Sequence, residues 1–121
     1  MVNTIDSLVR SMLRFTPGGE IDIFEGVNMQ YKNQMALHTG PHCSTPNNIN
    51  FYQTGNAQSR DCNSYSGHNE GCTVTDANPA SYGKAFADAG GGVWVTQLET
   101  SGIKIWFVPV SDYMVKPSSY H

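Results

Sequence analysis

Charge is scarce in this chain. Only 14% of its 121 residues are Asp, Glu, Lys or Arg, and the formal net charge is −3, so there is no basic footprint for nucleic acid. Long apolar runs are missing too. No stretch approaches the roughly 20 residues of a membrane-spanning helix, and the apolar residues are too interspersed for a helical bundle. There is no Cys-x-x-Cys, and His38 and His42 are followed by turn residues, so zinc-site spacing is absent. Gly90-Gly91-Gly92 precedes a strand pattern and no Lys-Ser/Thr follows it, which excludes a phosphate loop. No internal repeat and no Asn-x-Ser/Thr acceptor occurs. These absences predict no cofactor, no metal site, and neither nucleic acid nor membrane as a partner.

Gly, Asn, Ser and Thr are plentiful, a profile that suits one all-β domain with long polar loops. The three cysteines, Cys43, Cys62 and Cys72, all lie in one polar region. They allow one disulfide and a leftover thiol, with the pairing open, and they favour an oxidising compartment.

The densest chemistry lies in Gly18-Gly19-Glu20-Ile21-Asp22-Ile23-Phe24-Glu25-Gly26, where three carboxylates fall within six residues. Ile and Phe there favour a strand, whose side chains alternate between faces. Glu20 and Asp22 then share a face, while Glu25 is out of phase. A β-bulge near Ile23 or Phe24 would bring all three acids to one side. Such clustering is costly because like charges oppose one another's ionisation. A carboxylate pair is the apparatus of glycoside hydrolysis, in which a retaining enzyme holds the two groups about 5–5.5 Å apart. The plainer reading is an acidic edge strand that discourages sheet-to-sheet association.

The pattern Glu-x-Asp-x-x-Glu, with Ile at both early spacers and Gly-Val-Asn after it, resembles the active-site strand of family-16 glycoside hydrolases. Within that family it resembles the fungal laminarinase-type endo-1,3(4)-β-glucanases. The histidine strand Asn33-Gln34-Met35-Ala36-Leu37-His38-Thr39, the cysteine-bearing loop and the Trp94/Trp106 hairpin are similar as well. The resemblance implies Glu20 as nucleophile, Asp22 as its helper and Glu25 as general acid/base. It further implies substrate contacts from His38, Asn28, Trp94 and Trp106, and β-1,3- or mixed-linkage β-glucan as substrate. An extracellular location is implied, although Met1 to Phe15 lacks the uninterrupted apolar core of a signal peptide. By residue chemistry alone, His38 also fits an ordinary strand histidine, and both tryptophans fit a core.

The expected fold is all-β, a partial concanavalin-like β-sandwich jelly roll with a short N-terminal helix. Residues 1–16 read as an amphipathic helix, 17–109 as the partial family-16 domain, and 110–121 as an unpaired tail or a short edge strand. Residues 20–25, 34–39, 93–99 and 103–108 are expected as neighbouring strands of a single curved sheet. Thr100-Ser101-Gly102 is expected to form the three-residue turn of a hairpin. The irregular region from Gly40 to Gly92 must hide short strands, with 49–53 one candidate, or be stapled by a disulfide. Family members are roughly twice this length, so exposed sheet faces, self-association and weak or absent turnover are expected. A non-catalytic β-glucan-binding or partner-binding fragment is the alternative, and a product without independent function is the third reading.

Overall fold

The computed structural model describes residues 2–6, 19–47 and 53–113. Within them, residue alternation produces strands β1 (Val2–Asp6), β2 (Glu20–Glu25), β3 (Gln34–His38), β4 (Asn56–Ser59), β5 (Cys72–Thr75), β6 (Gly92–Glu99) and β7 (Gly102–Pro109). Two short helices, α1 (Gly83–Asp88) and α2 (Val110–Tyr113), complete the described elements. The strands form two antiparallel sheets of order β1-β7-β6 and β2-β3-β5-β4.

The acidic strand and the tryptophan hairpin thus belong to different sheets, which corrects the expectation of a single one. The reason is apolar pairing. Met35, Leu37, Cys72 and Val74 stand on one face of the β2-containing sheet, and Ile103 and Ile105 stand on one face of the other. These residues form one buried cluster, against which Ile21, Ile23 and Trp94 pack. Two such faces bury each other in a sandwich. Each fully buried Leu, Ile or Met side chain contributes about 1.5–3 kcal/mol, so the four with no exposure (Met35, Leu37, Ile103 and Ile105) dominate the join.

Strand β1 replaces the first part of the expected N-terminal helix. Val2, Thr4 and Ile5 are β-branched, and the backbone gains a full antiparallel ladder along β7, from Val2 opposite Trp106 to Asp6 opposite Gly102. The rest of that expected helix, residues 7–16, lies outside the described residues, as do 49–52 of the candidate strand at 49–53 and the tail from 114 onward. The start of the expected tail is helix α2. In the hairpin, Glu99 pairs directly with Gly102, so the turn is the two residues Thr100 and Ser101.

The long irregular region contains β4, β5 and α1, and it is stapled by the Cys62–Cys72 disulfide. The bridge closes only the short loop between Cys62 and Cys72, a sequence separation of 10, which stabilises by about 3 kcal/mol in the chain-entropy view. Cys43 is the free thiol and is buried. Burial pushes its titration up, with Asp61 adding to the rise and a hydrogen bond from Thr39 opposing it. Such a thiol is unreactive near neutrality.

The triple glycine has a structural task. Gly91 N–H donates to Phe86 C=O at 2.9 Å and Gly90 N–H to Ala87 C=O at 3.0 Å, with both glycines at positive φ. This is the Schellman ending of α1. It delivers the chain straight into β6.

Candidate active site

The site begins with register. In the β2–β3 pairing Glu20 lies opposite His38, Asp22 opposite Ala36 and Glu25 opposite Gln34. Three steps on β2 therefore match two on β3, and Ile23 and Phe24 together oppose Met35. Gln34, Ala36 and His38 alternate onto one face of β3, so Glu20, Asp22 and Glu25 all stand on that face. The bulge falls where the spacing of the acids requires it. Thr73 and Thr75 of β5 continue the same polar face, opposite Ala36 and Gln34.

The bulge also settles what happens to Phe24. Its ring stays half exposed against an aromatic cluster, with ring centroids 4.8 Å from Tyr82, 5.7 Å from Phe86 and 6.2 Å from Trp94. The extra residue thus turns a half-exposed aromatic side chain onto this cluster and returns the next carboxylate to the face of Glu20 and Asp22. Gly26 follows because a Cβ there would lie 2.6 Å from the Tyr82 ring.

A bulge leaves backbone groups out of the ladder, and Asn33 takes them. Its Nδ2 donates to Ile23 C=O at 2.8 Å, and its Oδ1 accepts from Glu25 N–H at 2.9 Å. Asn33 itself has no exposure. Its own N–H donates to Ser81 Oγ at 2.9 Å, and its C=O accepts from Asp76 N–H at 2.8 Å. One buried amide thus grips both sides of the bulge and fixes where Glu25 leaves the strand. Sequence reasoning placed Asn33 at the start of a strand and missed this role.

His38 is brought to the acids. Its Nε2 lies 3.1 Å from Asp22 Oδ2 and its Nδ1 lies 3.2 Å from Ser64 Oγ. Beside them opens a recess of ≈ 180 Å³ lined by Glu20, His38, Thr39, Gly40, Ser64, Tyr65 and Asn69. Tyr65 is 74% exposed there, and an aromatic ring on a polar loop beside the acids is the one signal by which this wall was findable. A larger recess of ≈ 390 Å³, walled by Asp76, Phe107 and Asp112 among others, contains none of the three acids.

The other expected substrate contacts are Trp94, Trp106 and Asn28. Trp94 stacks on its cross-strand partner Phe107, with centroids 4.8 Å apart and planes 26° from parallel, on the face that packs against the buried cluster. Trp106 alternates with Ile105 and Phe107 and so stands on the outer face of the second sheet, opposite Val95. Neither tryptophan joins the acids, because the hairpin that carries them lies in the other sheet. Leu98 ends the inner row of β6, opposite Ile103, and is 63% exposed. Asn28 lies in the turn after Glu25, closed by Gln30 N–H to Val27 C=O at 3.2 Å. It adopts the left-handed φ of 56° that Asn tolerates well. Its role there is to turn the chain.

The edge-strand reading is half right. Among the described residues β2 pairs on one side only, yet its acids project from the sheet face beside His38 rather than guarding the open edge.

Comparison with known proteins points the same way. The chain is 39% identical over 107 residues to an endo-1,3(4)-beta-glucanase of Arthroderma benhamiae, covering 85% of this chain and 23% of that protein. Among solved structures, an elongating GH family 16 beta-1,3-glucosyltransferase superposes with a TM-score of 0.70 at 42% identity, covering 78% of this chain and 30% of that one. Laminarinase 16A from Phanerochaete chrysosporium, solved with beta-glucans in both donor and acceptor sites, gives a TM-score of 0.74 at 33% identity. That match covers 93% of this chain and 40% of the laminarinase chain. The chain therefore spans less than half the length of each of these proteins. The family model for the XgeA-like catalytic GH16 domain matches residues 12–116. The chain belongs to glycoside hydrolase family 16, as part of an XgeA-like catalytic domain.

Proposed function

We propose that this chain carries the catalytic strand of a retaining endo-1,3(4)-β-glucanase acting on β-1,3- or mixed-linkage glucan. The observation that carries the reading is the bulge at Ile23 and Phe24, which puts Glu20, Asp22 and Glu25 on one polar face. Glu20 attacks the anomeric carbon while Glu25 gives a proton to the departing glycosidic oxygen, and the glycosyl ester forms on Glu20. Glu25 then takes a proton from the incoming water, which displaces Glu20 and restores the β configuration. Asp22 lies between them, held by His38, and steadies the nucleophile.

A second sugar can replace water in the last step, and the similarity to a glucosyltransferase favours testing for it. An extracellular setting is supported by the Cys62–Cys72 disulfide.

Turnover by the 121-residue chain alone is expected to be weak. Binding energy from remote sugars is what distorts the reacting ring, and Trp94 and Trp106 do not line this face. Incubation with laminarin should give a rate below the usual range of about 1–10³ s⁻¹, with fresh products in the β configuration by NMR. Longer oligosaccharides among the products would report transfer. A rate inside that range contradicts the expectation of a weak enzyme, and α products contradict retention. Glucan binding with no turnover at all selects the non-catalytic reading instead.

A further inference from the structure

The loop closed by Cys62–Cys72 holds the His38 ring from two directions. Ser64 Oγ is 3.2 Å from Nδ1. At the loop's other end, a Cβ on Gly71 would lie 2.9 Å from Nδ1 and 2.7 Å from Leu37 C=O, and Gly71 has φ +64°. Ser64 is itself anchored, because its N–H donates to Thr39 C=O at 3.0 Å. Thr39 N–H donates to Cys62 C=O at 2.7 Å, and Thr39 forms a parallel bridge with Asn63. The grip thus runs from the disulfide through two short backbone contacts to the imidazole.

We propose that Ser64 is a positioning residue, acting on Asp22 through His38. A carboxylate oxygen only accepts, so the contact to Asp22 Oδ2 requires the proton on Nε2. The neutral ring then carries a bare lone pair on Nδ1, and the Ser64 hydroxyl must donate to it. Ser64 thereby stops the ring from rotating away and keeps Nε2–H aimed at Asp22 Oδ2. Gly71 supplies the room in which the ring sits. The role resembles that of the outer partner that orients a working histidine through its second nitrogen. It rests on the reading of Asp22 and His38 as parts of the site, but its signature is read on the ring and does not need hydrolysis.

The test is nitrogen-15 NMR of the histidine rings in the purified chain at pH 8.5, where imidazole is ordinarily neutral. In the unmodified chain His38 should show a protonated Nε2 and an unprotonated Nδ1 with the upfield shift of a hydrogen-bonded lone pair. Ser64→Ala should return Nδ1 to the position of a free lone pair, and Ser64→Thr should restore the bonded signal. Where turnover is measurable, Ser64→Ala should lower kcat about tenfold, the range seen for residues that orient a working group, and Ser64→Thr should recover it. A proton on Nδ1 in the unmodified chain overturns the proposal without any variant. An Nδ1 signal indifferent to Ser64→Ala overturns it as well. If the NMR signature is present and hydrolysis is absent, the positioning stands and the catalytic reading falls.

Discussion

Glu25→Gln is expected to slow glucan hydrolysis by about 10²–10⁴-fold, the usual worth of a positioned acid, while barely touching attack on an activated aryl β-glycoside. A sugar alcohol leaves poorly without a proton, whereas an activated phenol leaves as its anion. The loss should therefore track leaving-group basicity. Glu20→Gln should behave differently, abolishing turnover of both substrates because no ester can form on an amide. The two residues stand on one face, five positions apart, only because of the bulge between them, so the contrast tests the geometry together with the chemistry. Initial rates for both variants on laminarin and on an aryl glycoside separate the roles. Equal losses on the two substrates for Glu25→Gln would remove it from the acid's position.

Asn33→Asp should cost about 2–4 kcal/mol of stability and disable Glu25 along with the fold. The substitution is nearly isosteric, yet it turns the donor facing Ile23 C=O into a second acceptor, in a side chain with no exposure. The new carboxylate is also taken out of water. Glu25 N–H keeps its acceptor, so the damage concentrates on the Ile23 side of the bulge. Urea unfolding followed by circular dichroism should show a lowered midpoint at unchanged slope. A shift within about 0.5 kcal/mol, typical of surface substitutions, would mean that something other than Asn33 holds the bulge.

What was legible in the sequence, and what was not, follows the range of the interactions. The acidic strand could be bounded, and its bulge placed, because three carboxylates at that spacing share a face only with one extra residue between them. The β6–β7 hairpin was legible for a similar reason, since alternation on both sides of a turn is a local signal. Sheet membership was not local. Alternation marks which residues of a strand are apolar, but not that Ile103 and Ile105 cover Met35 and Leu37 from the opposite sheet. For the same reason it did not show that Trp94 packs on the buried cluster and Trp106 stands on the outer face of the other sheet.

Asn33 escaped notice because its value lies in contacts with a bulge ten residues back and with Ser81, 48 residues on. The disulfide pair was undecided until β5 set Cys72 in register opposite Leu37 and the loop brought Cys62 to it. The Schellman ending of α1 was readable in principle. A phenylalanine followed three residues later by Ala89 and the glycines is a helix stop, but the glycines were read only as the approach to a strand.

As the proposed nucleophile, Glu20 should form a covalent glycosyl ester. Incubating the folded chain with an activated 2-fluoro-β-glucosyl donor and mapping the adduct by mass spectrometry looks for that ester. The electronegative substituent slows breakdown of the glycosyl ester, and the activated leaving group reduces the need for both the proton from Glu25 and the remote groove. One sugar per chain, attached at Glu20, is the predicted result, with none in Glu20→Gln. A folded chain that stays unmodified, or an adduct on Asp22 or Glu25, would contradict it.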